Sequence, residues 1–399
     1  MQDRAPPLST GSGHPQRGSV LVIVLVTLLF ATTALFLFIE RASTDLMVHI
    51  RDADRMRLRM EAYSALETTL AVLVDFQEVL GGLHSPAEGW SEPLEWGDYV
   101  PEDGREVKIT FVDESGRVPF RTMDFEMWVR LFESWEVRES EAETWADALL
   151  GWSQEDYTPQ SFDAPRAEDY ERDPLAFVPP ARVPHSWSEL RAIDIIRDEF
   201  FDEHGQPNEW HERLTDAVSL LNYETPNINA APAGALAALG RYDDIQQELL
   251  GDYFGGNGSY RSQGPGYFTE ANEVATVLGD QAVASEFGAR IQALRINVEV
   301  TQGASSYLLS VVVAPPGGAT ANTSPPIPAR ESEEAESAET EETSEASSPI
   351  ISPAALAIAG PGGEDELPES IEYPFTLLSI QEMDAGNRSD RLAEALASQ

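Results

Sequence analysis

Seven carboxylates stand close together in the segment EDYTPQSFDAPRAEDYERD, residues 155–173. Calcium binds about six to eight oxygen atoms from carboxylates and carbonyls in irregular loops, and neighbouring carboxylates repel one another unless a cation lies between them. The segment is therefore a candidate calcium site, with Asp156, Asp163, Glu168, Asp169 and Glu171 as candidate ligands. The spacing differs from that of an EF-hand, and a solvated acidic loop is the alternative interpretation.

Motifs for catalysis are scarce in the rest of the chain. The segment HERLT, residues 211–215, lacks the second histidine of a zinc-protease helix, and GGNGSYRSQGPG, residues 255–266, lacks the Gly-Lys-Ser/Thr that would bind phosphate. There is no G-x-S-x-G motif, and the absence of cysteine excludes a thiolate nucleophile or metal ligand. We therefore expect a protein that is not an enzyme, with His211 on the surface of a helix.

The chain is strongly acidic, with 69 Asp and Glu against 26 Lys and Arg and a formal net charge of -43. The eight glutamates of residues 331–348 account for only part of this charge, so the folded regions are acidic too. Such a surface repels phosphate backbones, which argues against nucleic acid as a partner and favours cations or basic protein surfaces. The segment NINAAPAGALAAL, residues 227–239, is similar to DNA-contacting helix-hairpin-helix segments, but we interpret it as a packing unit because Arg241 is the only basic residue nearby.

A long helix must precede these segments. Residues 19–39 contain no charged side chain, and at about 1.5 Å per residue such a run can span roughly 30 Å of hydrocarbon. Residues 42–80 contain no Gly or Pro and carry leucines at helical spacing, so one helix is predicted over 19–80, with 19–39 as a transmembrane span. The polar residues 1–18 could be removed as a leader, and the mature protein would then begin at Ser19.

The remaining patterns predict an α+β fold. Apolar residues alternate with polar ones in REVKITF and RINVEV, and SSYLLSVVV and YPFTLLSIQEM are further strand candidates. The predicted organisation is a small sheet, packed on the N-terminal helix, with an inserted helical domain whose tryptophans are core anchors. Its parts are residues 81–118 (sheet, first part), 119–292 (inserted domain), 293–314 (strands), 315–370 (disordered acidic loop), 371–384 (last strand) and 385–399 (tail).

A glycine directly before a long apolar helix, followed by an amphipathic helix and a small sheet, resembles the type IV pilin-like family. Within it, the chain is similar to the minor pseudopilin K family of type II secretion, also called general secretion pathway protein K. Four segments carry this resemblance in order: WADALLGWSQEDYTPQSFDAPRAEDYE, HSWSELRAI, PNINAAPAGALAAL and YPFTLLSIQEM. The resemblance implies a pilin-like fold with a small antiparallel sheet and a large inserted α-helical domain. It also implies a non-enzymatic subunit at the tip of the pseudopilus, which exports folded proteins.

The resemblance also assigns roles to three N-terminal residues. It implies cleavage between Gly18 and Ser19 by a prepilin peptidase, followed by methylation of the new terminus. Most pilin-like subunits have Glu as the fifth mature residue, whereas this chain has Ile23. A buried carboxylate is costly unless it is paired, so its absence suits a subunit with no neighbour above it. The family can bind calcium in the inserted region.

The implied partners are the other minor pseudopilins, the major pseudopilin, the inner-membrane assembly platform, the prepilin peptidase and the membrane, but no nucleic acid. The implied location is the inner membrane, with a single pass and the C-terminal domain in the periplasm. Arginines are more frequent after the span than before it, which by the positive-inside rule favours the opposite orientation. The alternatives are a minor pilin of a type IV pilus and a single-pass periplasmic anchor protein that is not cleaved.

Overall fold

The computed structural model describes residues 17–102, 104–170, 177–279, 284–303, 305–322 and 374–384. Most of the predicted leader, the larger part of the predicted acidic loop and the tail lie outside these residues. The chain divides into two compact units, residues 1–61 and 62–399, which are described separately below.

The first helix, α1, runs over Arg17–Leu80 and confirms the single long helix predicted from the sequence. Its apolar N-terminal part belongs to the first unit, and residues 62–80 belong to the second. The helix ends where Gly81 adopts a left-handed backbone with a φ of 72°. The Gly81 amide donates to the carbonyl of Gln77 at 2.9 Å, so the last turn is closed by a residue type that tolerates this conformation.

The sheet of the second unit is antiparallel and has four strands. The first strand is β1 (Glu106–Asp113), and two short strands, β2 (Val118–Pro119) and β3 (Val218–Ser219), form a separate parallel pair. The other long strands are β4 (Leu294–Gln302), β5 (Ser305–Ala314) and β6 (Thr376–Asp384), in the order β1-β4-β5-β6. All four predicted strands are therefore present.

The alternation in β1 and β4 places apolar residues on one face of the sheet. Ile109 pairs with Val298 and Phe111 with Ile296, and both partners in β4 are fully buried. On the helix, Ala62, Ala65, Thr69 and Leu73 are fully buried, at spacings of three and four residues. The Tyr63 hydroxyl donates to Glu382 of β6 at 2.7 Å, which ties this part of α1 to the sheet.

The helical domain is inserted between β1 and β4, as predicted. Its helices are α3 (Phe125–Glu133), α4 (Glu139–Ser153), α5 (Ala167–Tyr170), α6 (Asp194–Phe200), α7 (Glu209–Ala217), α8 (Ala233–Ala235), α9 (Asp244–Gly255) and α10 (Ala275–Leu278), whereas α2 (Pro93–Trp96) precedes β1. Aromatic rings dominate the core: Phe132 contacts Trp128, Trp135 and Trp145 with ring centroids 5.3–5.6 Å apart. Of the six tryptophans predicted as core anchors, five are buried in the core of this domain: Trp128, Trp135, Trp145, Trp152 and Trp187. The sixth, Trp210, is partly buried and packs against this core.

The prediction of a disordered loop over 315–370 is wrong for its first residues. The amide of Ala319 donates to Gln292, and Thr320 exchanges two backbone hydrogen bonds with Asn222 of the inserted domain. Composition suggested disorder because Pro, Ser, Glu and Ala are frequent over residues 315–370, but backbone partners from distant segments hold the start of this stretch in place.

Candidate functional site

The apolar part of α1 has the surface expected of a membrane span. Its large side chains are exposed from Leu21 to Ile39, and Ile23 is 59% exposed. The polar residues in this stretch are Thr27, Thr32 and Thr33, and each hydroxyl donates to a carbonyl one turn earlier at 2.8–2.9 Å. Since unsatisfied polar groups are costly in lipid, this helix is compatible with single-pass anchoring. Among the described residues, one helix is long and apolar enough to cross a membrane.

The predicted cleavage site lies at the start of α1. Gly18 and Ser19 follow the first helical residue, Arg17. Cleavage and methylation at this position stay predictions.

The described part of the acidic segment does not gather into a metal cluster. Asp156, Asp163, Glu168 and Asp169 are exposed, and Asp169 accepts from the Arg166 amide at 2.9 Å. No group of three or more His, Asp or Glu side chains within the described residues is placed to hold a metal ion. Glu171 lies outside the described residues, and the calcium site stays a prediction.

A buried carboxylate that the sequence prediction missed organises the start of this segment. Asp147 of α4 is fully buried and accepts hydrogen bonds from the Tyr157 hydroxyl at 2.6 Å and from the Ser161 amide and hydroxyl at 2.5 and 2.6 Å. Burial and then the bond to Asp147 raise the pKa of Tyr157 above its usual value. Because a buried carboxylate is unfavourable without such donors, Asp147 fixes the path of residues 154–161. An Asp inside the apolar run WADALLGW is the signal that could have revealed it.

A second carboxylate that several donors engage lies where the inserted domain leaves the sheet. Asp113, the last residue of β1, accepts from the Ser115 amide and hydroxyl at 2.8 and 2.5 Å and from the Asn227 side chain at 2.7 Å. Burial raises the pKa of Asp113 to about 7, against the lowering effect of these donors. The Ser115 hydroxyl also accepts from the Gln292 amide just before β4, so one cluster joins both connections between the sheet and the inserted domain.

The segment NINAA supplies the two asparagines of this junction. Besides Asp113, the Asn227 side chain donates to the carbonyl of His84 at 2.9 Å. Asn229 donates to the Phe268 carbonyl and accepts from the Phe268 amide, at 2.9 and 2.7 Å. These contacts agree with the interpretation of this segment as a packing unit, and they show that its asparagines act through side-chain hydrogen bonds.

The turn after α1 is held by a buried acid. Glu88 accepts from the His84 amide at 3.0 Å and from the Trp90 indole at 2.9 Å, and its other oxygen lies 2.5 Å from the His84 ring. Although burial acts in the opposite direction, these hydrogen bonds lower the pKa of Glu88. The end of α1, β1 and the inserted domain therefore meet through hydrogen-bonded side chains.

A cleft of about 660 Å³ lies between β6 and the inserted domain, with Trp187, Leu221 and Leu378 among its lining residues. At its base Arg117 and Arg295 both contact Glu114, and Arg295 Nε lies 2.5 Å from the carboxylate. Both oxygens of this carboxylate are engaged by guanidinium groups, so the ion pairs fasten β4 to the segment after β1.

The prediction that His211 lies on a helix surface is wrong. The side chain is buried, with ring centroids 5.0 Å from Phe201 and 6.5 Å from Trp187. Burial and the nearby Arg191 charge lower the pKa of His211 to about 4. The sequence HERLT is polar around this residue, and only the rings of distant segments reveal that this side of α7 is the buried one.

These features define a class of protein. An exposed apolar N-terminal helix, a four-stranded antiparallel sheet and a helical domain inserted between β1 and β4 make this an α+β protein.

Comparisons with known proteins find similarity at the level of structure. A chain of the crystal structure of the GspK-GspI-GspJ complex, from the enterotoxigenic Escherichia coli type 2 secretion system, is 13% identical with a TM-score of 0.47. The match covers 69% of the present chain and 97% of that chain. No protein-family model matches the chain, and no curated protein matches it.

Proposed function

We propose that the chain is a minor pseudopilin of a type II secretion system, in the position of the pseudopilin K subunit. In this role the protein helps to initiate and cap the periplasmic pseudopilus, which drives folded proteins through an outer-membrane pore. The observation that carries the proposal is the combination of the apolar helix α1 with an antiparallel sheet that is interrupted by a helical domain. The ordered motifs in the sequence support the same subunit.

The position at the tip is supported by Ile23. A carboxylate in an apolar helix is tolerated when it meets a positive group, such as the terminal amine of a neighbouring subunit. This chain carries an exposed apolar side chain there and therefore needs no such neighbour. The inserted domain enlarges the second unit, and a large subunit is easier to accommodate at the end of a filament than within it.

The proposed role requires no catalysis. The protein would lie in the inner membrane through residues 19–39 before assembly, with its C-terminal domain in the periplasm. Its partners would be the other minor pseudopilins, the major pseudopilin, the assembly platform and the prepilin peptidase. Calcium in the acidic segment would serve to hold that segment together.

The first test is the mass and N-terminal sequence of the protein from membranes of cells with and without the prepilin peptidase. We expect a peptidase-dependent start at Ser19. Gly18→Val should block cleavage, because a branched side chain replaces the small residue at the cut, whereas the matched control Gly13→Val in the same leader should be cleaved normally. An intact Met1 in all samples would contradict the proposal and favour a simple membrane anchor.

A second experiment separates secretion from pilus function. Deleting the gene should abolish export of folded proteins to the medium while leaving pilus-dependent adhesion and DNA uptake unchanged, and the full-length gene should restore export. The opposite pattern would identify a minor pilin of a type IV pilus.

A further inference from the structure

An exposed apolar patch lies at the C-terminal end of α1 in the second unit. It consists of the exposed Val79, Leu80 and Trp96 together with the half-buried Phe76, and we call it the Trp96 patch. Trp96 is 63% exposed and Val79 is 83% exposed. Val79 and Leu80 follow Phe76 by three and four residues, so they lie on the same side of the helix, and the Trp96 ring stands edge-on to Phe76 with centroids 5.4 Å apart.

The exposed indole is held in a fixed orientation. Its Nε1 donates to the carbonyl of Gly89 at 2.9 Å, and Gly89 has a φ of 111° that favours glycine. The segment carrying Trp96 also lies tightly against α1, because a Cβ on Gly97 would come within 2.4 Å of the Thr68 side chain. A tryptophan that is already ordered and still exposed loses little side-chain entropy on binding a partner.

The chain segments that carry the Trp96 patch are acidic. Residues 60–104 contain no Lys or Arg. The exposed carboxylates that flank the patch along the chain are Asp75, Glu78, Glu92, Glu95 and Asp98. This charge repels anionic lipid, nucleic acid and a second copy of this acidic chain, whereas it attracts Lys and Arg.

We propose that the Trp96 patch is a docking surface for a protein segment that carries arginine or lysine beside apolar side chains. A cation would lie over the face of the Trp96 ring, where the ring quadrupole attracts it, and its neighbours would meet the flanking carboxylates. Apolar side chains of the partner would cover Val79 and Leu80. Tryptophan is enriched among the residues that dominate binding free energy at interfaces, so the ring is the anchor of this surface. The proposal does not depend on the secretion role.

The test uses the full chain in non-ionic detergent and a fluorescent peptide of alternating arginine and leucine, with an equal-length peptide of glutamate and leucine as the matched probe. Fluorescence anisotropy should show binding of the basic peptide and none of the acidic one. Trp96→Ala should weaken binding about 10- to 100-fold, in the range of interface hot spots. Phe162→Ala is the matched control, because Phe162 is 92% exposed on the inserted domain, and it should leave the affinity unchanged.

Glu95→Arg keeps the tryptophan and reverses one flanking charge, so it should lower the affinity for the basic peptide. This variant tests the proposal independently if Trp96→Ala disturbs the local fold. Circular dichroism of each variant reports whether the fold is retained. The proposal would be overturned if the unaltered chain, Trp96→Ala and Glu95→Arg bound the basic peptide with equal affinity. It would also be overturned if the acidic peptide bound as tightly as the basic one, or if the patch bound vesicles rich in anionic lipid.

A photo-crosslinker placed at Val79 in cells then tests the class of partner. The linked peptide should come from another protein and contain Lys or Arg next to apolar residues. A crosslink to a second copy of the chain, or to an acidic peptide, would overturn the proposal.

Discussion

Replacing Asp113 by asparagine is expected to change how the stability of the protein depends on pH. Burial raises the pKa of this carboxyl group from 3.8 to about 7. Because the pKa is higher in the folded chain than in the unfolded chain, the folded chain binds the proton more tightly over this interval. The stability contributed by Asp113 is therefore fully present below about pH 4 and is lost as the pH rises to about 7.

The size of the effect follows from the pKa difference. The interval from 3.8 to about 7 corresponds to about 4 kcal/mol in the free energy of unfolding. For a folded unit of a few hundred residues, this change shifts Tm by roughly 10 °C. Asparagine stays neutral and keeps an oxygen that can accept from Asn227, but its amide group faces the Ser115 amide, which we expect to cost about 1–2 kcal/mol at low pH.

The assay is thermal unfolding of the full chain in non-ionic detergent between pH 4 and 8. Near-ultraviolet circular dichroism monitors the unfolding and gives Tm at each pH. The Tm of Asp113→Asn minus that of the unaltered chain should rise with pH, from negative near pH 4 to positive above pH 7. His211, whose pKa is lowered to about 4, acts in the opposite sense, since its contribution is lost as the pH falls from 6.5 to about 4. It cancels in the difference because both proteins contain it.

Asp75→Asn is the matched control, because it makes the same chemical change at an exposed position of α1 outside the Asp113 cluster, and it should leave the pH dependence of Tm unchanged. Parallel melting curves for Asp113→Asn and the unaltered chain would refute the reasoning, since they would mean that the buried carboxyl group does not titrate in this interval.

Substitutions at three further positions test other contacts and the span. Asn227→Ala removes hydrogen bonds to both β1 and the turn after α1, and we expect a loss of about 3 kcal/mol, seen as a lower Tm; an unchanged Tm would show that water replaces the amide. Asp147→Ala leaves three donors without their acceptor, so limited proteolysis should cut residues 154–161 faster, whereas Asp147→Asn should restore part of the protection. Ile23→Glu places an unpaired carboxylate in the span, at a cost of up to about 3 kcal/mol, and should lower export, whereas Ile23→Leu should not; full export by the glutamate variant would contradict the tip position.

The helix α1 and the four strands follow from local patterns in the sequence. Residues 42–80 lack Gly and Pro and repeat leucine at helical spacing, and the alternation in Val107, Ile109 and Phe111 can place one apolar face only in a strand. The exposed span and the absence of a carboxylate at Ile23 are likewise properties of the chain itself. These features could be predicted because periodicity and charge are local.

The tertiary structure decided which side chains meet across long distances in the chain. Asp113 and Asn227 lie in different domains, and nothing in their local sequence shows that they share a hydrogen bond. His211 is buried because Phe201 and Trp187 come from other segments, and residues 315–322 are held in place by backbone partners in the inserted domain. The sequence by itself determined the span, the order of the elements and the acidic character of the protein, because each depends on residues close in the chain. The protonation of the buried groups and the exposure of Trp96 were decided only when folding brought distant segments together, because burial and hydrogen bonding are properties of the packed chain.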